Sequence, residues 1–170
     1  MAVSLLLGFL VIDMQSVHLE GIEKKNVDRA CEYINYAANM IRSNGHVVIH
    51  IRDTEGLTEE NREVYDTIPE IQVEAADRTL TKEYSNSFWK TELEQILRDQ
   101  GVEFLVIAGD AAEHCVLFTY NGALERGFSP VMLQNGILSR FDDVIAATYR
   151  DRNVVSYPAI KYMLKPHFPQ

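Results

Sequence analysis

Cysteine is scarce in this chain. Its 170 residues include two, Cys31 and Cys115, too few and too far apart for a disulfide framework or a cysteine-rich zinc site. That usage suits a reducing cytosol, so a cytoplasmic location is expected. Positive charge is also short: 16 Lys and Arg stand against 25 Asp and Glu, giving a formal net charge of -9. No Lys/Arg run offsets it, so neither nucleic acid nor an anionic membrane is expected as a partner, since both need a basic face. The N-terminal VSLLLGFLVI lacks a basic flank, is too short to span a bilayer and runs straight into Asp13. It reads as a buried strand rather than a signal peptide. Repeats, low-complexity tracts and Pro/Gly/Ser-rich linkers are missing too. Residues 1–170 are therefore expected to form one domain, long enough to bury a sizeable core.

What is present is an ordered composition, 46% hydrophobic and 24% charged, with short apolar runs alternating with helical periodicity. That alternation predicts a parallel sheet covered on both faces. The first strand is expected at Leu5 to Ile12. A helix from about Asn26 carries Val27, Cys31, Ile34, Ala38 and Ile41 at spacings of three and four and closes at Gly45. Cys31 sits inside that stripe as a small buried hydrophobe. Val47 to Ile51 is the second strand. The polar stretch Arg52 to Asp77 has little periodicity, as a lid or rim loop would. A third strand, Arg78 to Thr81, delivers Lys82. A helix follows with Thr91 and Glu94 in capping-box spacing and Leu93, Ile96 and Leu97 on its face. The fourth strand, Glu103 to Ala108, is expected to break at Gly109, with a helix from His114 to Arg126. Val131 to Leu133 is the fifth strand. A helix over Asp142 to Arg150, the pair Val154 and Val155, and a helical tail complete a doubly wound order.

Ligands bind such sheets at the carboxyl ends of the strands. Asp13, Lys82 and Cys115 all fall there, following strands one, three and four. Together they offer a proton carrier, a cation and a nucleophile. A thiolate is the reactive form of cysteine, and the helix start and Lys82 are expected to lower the Cys115 pKa. Backbone N–H groups near Ala111 and Cys115 could hold an oxyanion. Taken singly, each residue has a plainer reading: Asp13 as a turn cap, Lys82 as a surface cation, Cys115 as packing. Position after a Gly-broken strand separates Cys115 from Cys31.

These residues lie in segments that resemble a known family. LLGFLVIDMQ, TKEYSNSFWKTEL and VIAGDAAEHCV followed by GALERGF are similar to the isochorismatase-like cysteine hydrolase superfamily, from about Leu6 to Ile145. The resemblance implies a six-stranded, mainly parallel sheet and an Asp13–Lys82–Cys115 triad. It also implies a cis peptide at Asp110–Ala111, with Ala111 as oxyanion donor. Members typically hydrolyse small amides, ureides or carbamoyl compounds through a thioester-type intermediate, and commonly form dimers or larger rings. Two departures narrow the reading. The nicotinamidase branch has an Asp-x-His metal motif after strand two, where this chain has His50, Arg52 and Asp53 and a loop without histidine. The isochorismate-cleaving enzymes act on a vinyl ether and lack the cysteine that this chain keeps as Cys115.

The expected activity is therefore cysteine hydrolysis of a C–N bond in a small molecule, with no metal and no cofactor. The alternatives are a vinyl-ether or other non-amide hydrolase, and an idle binding or assembly module on the same fold. Gln15 serves equally well to bind substrate or to hold a loop. Phe88 is a candidate pocket wall, Trp89 a core or interface residue, and His114 a substrate contact or a solvated histidine. His18, His46 and His167 show no metal-ligand spacing. The apolar tail Ser156–Gln170, with Tyr157, Ile160, Tyr162, Met163, Leu164 and Phe168, points to a homo-oligomer, or to a tail folded back on its own domain.

Overall fold

The computed structural model describes residues 6–165. Six strands build one all-parallel sheet: β1 (Leu6–Ile12), β2 (Val47–Asp53), β3 (Arg78–Lys82), β4 (Val102–Asp110), β5 (Ser129–Leu138) and β6 (Val154–Val155). Their order is β3-β2-β1-β4-β5-β6. The chain runs outward from β1 to β3, then returns to the other side of β1 with β4. That reversal makes the β1/β4 boundary the switch point where such sheets hold ligands.

The two faces follow from the period of two along each strand. Leu7, Phe9 and Val11 point into one core with Ala30, Cys31, Ile34, Ala38 and Ile41 of α2 (Lys24–Ser43) and Ile160 of α7 (Tyr157–Met163). Leu10 and Ile12 point into the other, against Leu93 and Leu97 of α4 (Leu93–Asp99) and Val116, Tyr120 and Ala123 of α5 (Cys115–Glu125). Val144, Ile145 and Tyr149 of α6 (Asp142–Asp151) flank this second core. Each fully buried aliphatic side chain contributes about 1.5–3 kcal/mol of transfer free energy. No helix among the described residues is long and apolar enough to cross a membrane.

Several elements differ from the sequence expectation. Gly109 does not break β4, which continues to Asp110. Gly109 pairs with Ile12 across the sheet, has φ 115°, and a Cβ there would lie 1.9 Å from the Ile12 carbonyl oxygen. Glycine lets the two central strands close up at the switch point. β5 runs to Leu138 because Asn135, at φ 62°, takes up an irregularity and Ile137 and Leu138 resume pairing with Gly109 and Asp110. The polar Gln134–Asn135 pair hides that continuation from a hydrophobicity reading. The capping box is not formed: Glu92 holds the N-cap position of α4 without a side-chain cap. Thr91 accepts the Leu93 N–H at 3.3 Å and donates to the Ser87 carbonyl. Two short helices, α1 (Ser16–Leu19) and α3 (Arg62–Tyr65), are additional. The stretch 52–77 is tied down by a bridge between Gln15 and Thr67 and by Asp77, which binds Arg42 through both oxygens and His50 at 3.0 Å. In the tail, Ile160 is buried against its own chain while Tyr162 is 66% exposed; His167 and Phe168 lie outside the described residues.

Candidate active site

Asp13 leaves the end of β1 in the left-handed region, φ 51°, with its N–H donating to the Ile51 carbonyl of β2 at 2.9 Å. This backbone turn aims the carboxylate along the carboxyl edge of the sheet. There Oδ2 accepts a hydrogen bond from Lys82 Nζ at 2.8 Å, and both side chains are shut off from solvent. Lys82 ends β3, two strands away. Its ammonium also lies 3.5 Å from Cys115 Sγ and 3.9 Å from Asp53 Oδ2. Cys115 is half-buried as the first residue of α5, after the turn that follows β4. The structure thus brings together the three residues that the strand ends pointed to.

The turn contains a cis peptide at Asp110–Ala111. The Ala112 N–H is spent on Leu138, and those of His114 and Val116 on the Ala111 carbonyl. These bonds leave the N–H groups of Ala111 and Cys115 outside the hydrogen bonding of the turn. Cys115 opens α5, where the first N–H groups have no intrahelical acceptor, and Ala111 lies in the turn before it; among the described residues neither N–H is spent on a backbone carbonyl, so both can meet a developing negative charge. Asp13, Ala111 and Cys115 line a cavity of about 300 Å³, shared with Val17, Asp110 and Arg140 among others.

Electrostatics corrects one sequence expectation. The Cys115 thiol is not lowered but pushed up to about 12, because burial and the adjacent Asp13 outweigh Lys82. Burial also raises Asp13 in spite of Lys82, making it a better proton acceptor than an ordinary aspartate. Burial pulls Lys82 down, yet Asp13, Cys115 and Asp53 more than reverse this and hold its ammonium charged. The resting arrangement is an Asp13–Lys82 ion pair beside a neutral thiol. Asp13 Oδ1 is buried and has no hydrogen-bond partner among the described residues, which leaves it able to accept a proton.

Other candidates are placed differently. Gln15 is fully buried; its amide donates to the Asp53 and Tyr65 carbonyls and accepts the Asp53 N–H. Of its two readings, the geometry supports the loop-holding one. Phe88 is not a pocket wall: it stacks on Phe128 with centroids 5.7 Å apart, inside the core beneath α4 and α5. Trp89 is 52% exposed. His114 is exposed and lines the cavity. Sequence reasoning missed Asp110, Arg140 and the pair His18–Asp53, 3.5 Å apart. His18, Asp53 and Asp13 place one donor atom each within 4.8 Å of one another. The Lys82 ammonium already lies against both carboxylates, so the positive charge a metal would bring is supplied there by the chain itself.

Asp110 is 7% exposed. Burial, then Asp13 and Glu113, push its carboxyl up to about 8, with only Arg140 opposing. At neutral pH the cavity therefore contains a carboxylic acid as well as a carboxylate.

The pattern of the isochorismatase domain matches residues 8–153. The chain is similar to the isochorismatase family protein YaaI of Bacillus subtilis (strain 168), at 29% identity over 129 residues, 70% of this chain and 71% of YaaI. It is 29% identical over 70 residues to the maleamate amidohydrolase of Pseudomonas putida, covering 41% of this chain and 33% of that enzyme. An isochorismatase-like hydrolase from Alkaliphilus metalliredigens superposes with a TM-score of 0.83 at 19% identity, covering 96% of this chain and 99% of its own. The N-carbamoylsarcosine amidase from Thermoplasma acidophilum gives 0.74 at 22% identity, covering 85% and 91%. At those identities the structural likeness speaks for the fold alone.

Proposed function

This chain belongs to the isochorismatase family, a family of hydrolases, and from that premise we propose that it cleaves a C–N bond in a small amide, ureido or carbamoyl compound through a Cys115 acyl-enzyme. The observation that carries this reading is the contact chain from Asp13 through Lys82 to Cys115 Sγ, at 2.8 and 3.5 Å, at the edge of one cavity.

The thiol is too weak an acid to ionise beforehand, so its proton moves to Asp13 Oδ1 as sulfur attacks the carbonyl carbon. Lys82 stabilises the charge on sulfur and holds Asp13 by its other oxygen. The carbonyl electron pair moves onto oxygen, where the N–H groups of Ala111 and Cys115 receive it. When that pair returns, the C–N bond breaks and Asp13 gives its proton to the departing nitrogen. A thioester remains. Water then attacks it, losing a proton to Asp13; the C–S bond breaks and the proton returns to sulfur. One water is consumed, and an amine or ammonia and an acid are released.

The test is a screen of small amides, ureides and carbamoyl compounds for ammonia or amine release, with Cys115→Ala as control. Exhaustive chelation is expected to leave turnover unchanged; loss restored by zinc or iron would assign Asp13, His18 and Asp53 to a metal instead. The substrate is a small molecule, and the same reading places the enzyme in a reducing cytosol as a homo-oligomer. Tyr157 packs edge-on against Tyr33 and Tyr36 of α2, and the outward side of this cluster stays exposed at Tyr36 and Tyr157, which favours assembly; light scattering giving a monomer at micromolar concentration would exclude it.

A further inference from the structure

Asp110 is the last residue of β4, in register with Leu138 of β5, and it lines the same cavity as Cys115 and Ala111. The polar contacts of this region run between Lys82 and Asp13, Asp53 or Cys115, between His18 and Asp53, and between Ser139 and Glu113. Among the described residues none reaches the Asp110 carboxyl. An acid that opens onto a cavity beside Cys115 can exchange water for a bound ligand whose donor and acceptor match its own.

Its protonation state follows from what surrounds it. The groups facing the cavity or the charges behind it are Asp13, His18, Lys82, Glu113, His114 and Arg140. Lys82 is committed to Asp13. Arg140 and His114 are exposed, where solvent screens them, and His18 is turned to Asp53. Glu113 Oε2 is buried with no partner of its own. Ionising Asp110 would add a further carboxylate beside two others, so the resting group is the neutral acid, in line with its raised pKa. A neutral carboxylic acid offers an O–H donor and a carbonyl acceptor on one edge. The complementary edge is C(=O)–N–H.

Building on the C–N hydrolase reading, we propose that Asp110 is a specificity-determining residue that, as a neutral acid, forms two hydrogen bonds with a second C(=O)–N–H edge of the substrate, next to the scissile one. Diamides and acylated ureas carry such an edge. An ester or a vinyl ether supplies an oxygen but no N–H and leaves half of the acid unpartnered in a buried site, which disfavours its binding.

Two probes of nearly equal size separate these cases: malonamide, and its half methyl ester, in which an ester replaces the second amide. For the wild-type enzyme, kcat/KM for ammonia release is expected to favour malonamide by about tenfold or more. Asp110→Val should collapse that preference, mainly through KM, and Asp110→Asn, which keeps a donor and an acceptor, should restore much of it. The preference surviving in Asp110→Val, or no rescue by Asp110→Asn, would overturn the assignment. Infrared difference spectra between wild type and Asp110→Asn supply an arm that needs no turnover. A protonated-carboxyl band at pH 6 that is lost as pH rises is expected, and a carboxylate already present at pH 6 would overturn the neutral acid. Wild-type enzyme that shows this band yet hydrolyses neither probe, while other amides are cleaved, would overturn the second-edge assignment. Cleavage of no amide at all would overturn the C–N reading and this assignment with it.

Discussion

Asp13 Oδ2 and Lys82 Nζ lie 2.8 Å apart with both side chains withdrawn from solvent, although 69 residues separate them in the chain. This pair fixes the orientation of the Asp13 carboxylate and holds the Lys82 ammonium 3.5 Å from the Cys115 sulfur. Removing one member of a buried pair strands the other, at a cost of about 3–5 kcal/mol. Any substitution here therefore changes stability as well as chemistry.

Cys115→Ala is expected to abolish turnover, because no other residue lining the cavity carries a thiol. Asp13→Asn keeps the shape but removes the proton carrier, and kcat should fall by about 10²–10⁴-fold. Denaturant unfolding of each variant separates this loss from instability. An Asp13→Asn enzyme that is folded and keeps more than roughly a tenth of wild-type kcat would exclude Asp13 as the general base.

Alkylation reads the state of the thiol without any substrate. With Cys115 pushed up to about 12, its rate with iodoacetamide should climb steadily with pH through neutrality and show no plateau there. Lys82→Met removes the charge beside the sulfur that favours the thiolate, so alkylation should slow further. Cys31 is 3% exposed and raised to about 11, and should stay unmodified in the native protein. A rate plateau near pH 7 would mean that a thiolate already exists at rest.

Asp110 makes stability depend on pH in a predictable direction. Its folded pKa, about 8, lies above the ordinary carboxylate value of 3.8, so the native state retains a proton that the unfolded chain releases. Its contribution is fully present below about pH 4 and is lost as pH rises toward 8, with an upper-bound slope of about 1.4 kcal/mol per pH unit. Asp110→Asn should remove this slope, raising Tm relative to wild type most near pH 8 and least near pH 4. Parallel Tm–pH curves for the two proteins would contradict a raised Asp110 pKa.

Gly109→Ala tests the close approach of β4 to β1. The added methyl would meet the Ile12 backbone at 1.9 Å, where nothing flexible can give way. A loss of more than about 3 kcal/mol, or failure to fold, is expected, given that overpacking against side chains alone costs about 1–3 kcal/mol. Calorimetry showing a change below about 1 kcal/mol would mean that the strands separate easily at this point.

The sequence by itself determined the sheet and the residues at its edge. Apolar runs of strand length alternating with helical stripes leave few parallel arrangements, and Asp13, Lys82 and Cys115 stand directly after such runs, where the backbone has to turn. That each follows a strand is local and legible in the chain; that the three meet depends on the sheet order β3-β2-β1-β4, which the tertiary structure sets. Asp110 was hidden because it reads as a turn residue after a glycine, whereas Gly109 lets β4 continue and carries Asp110 onto the cavity. Gln15 and Phe88 were ambiguous because hydrogen bonds to the Asp53 and Tyr65 backbone, and stacking on Phe128, join residues far apart in sequence. The ionisation of Cys115 was read in the wrong direction for the same reason. Helix start and Lys82 are visible in the sequence and both favour the thiolate, but burial and the opposing carboxylate act through space and prevail. Spacing along the chain specifies which groups reach the sheet edge; the dielectric and the charges they meet there exist only once the tertiary structure has closed around them.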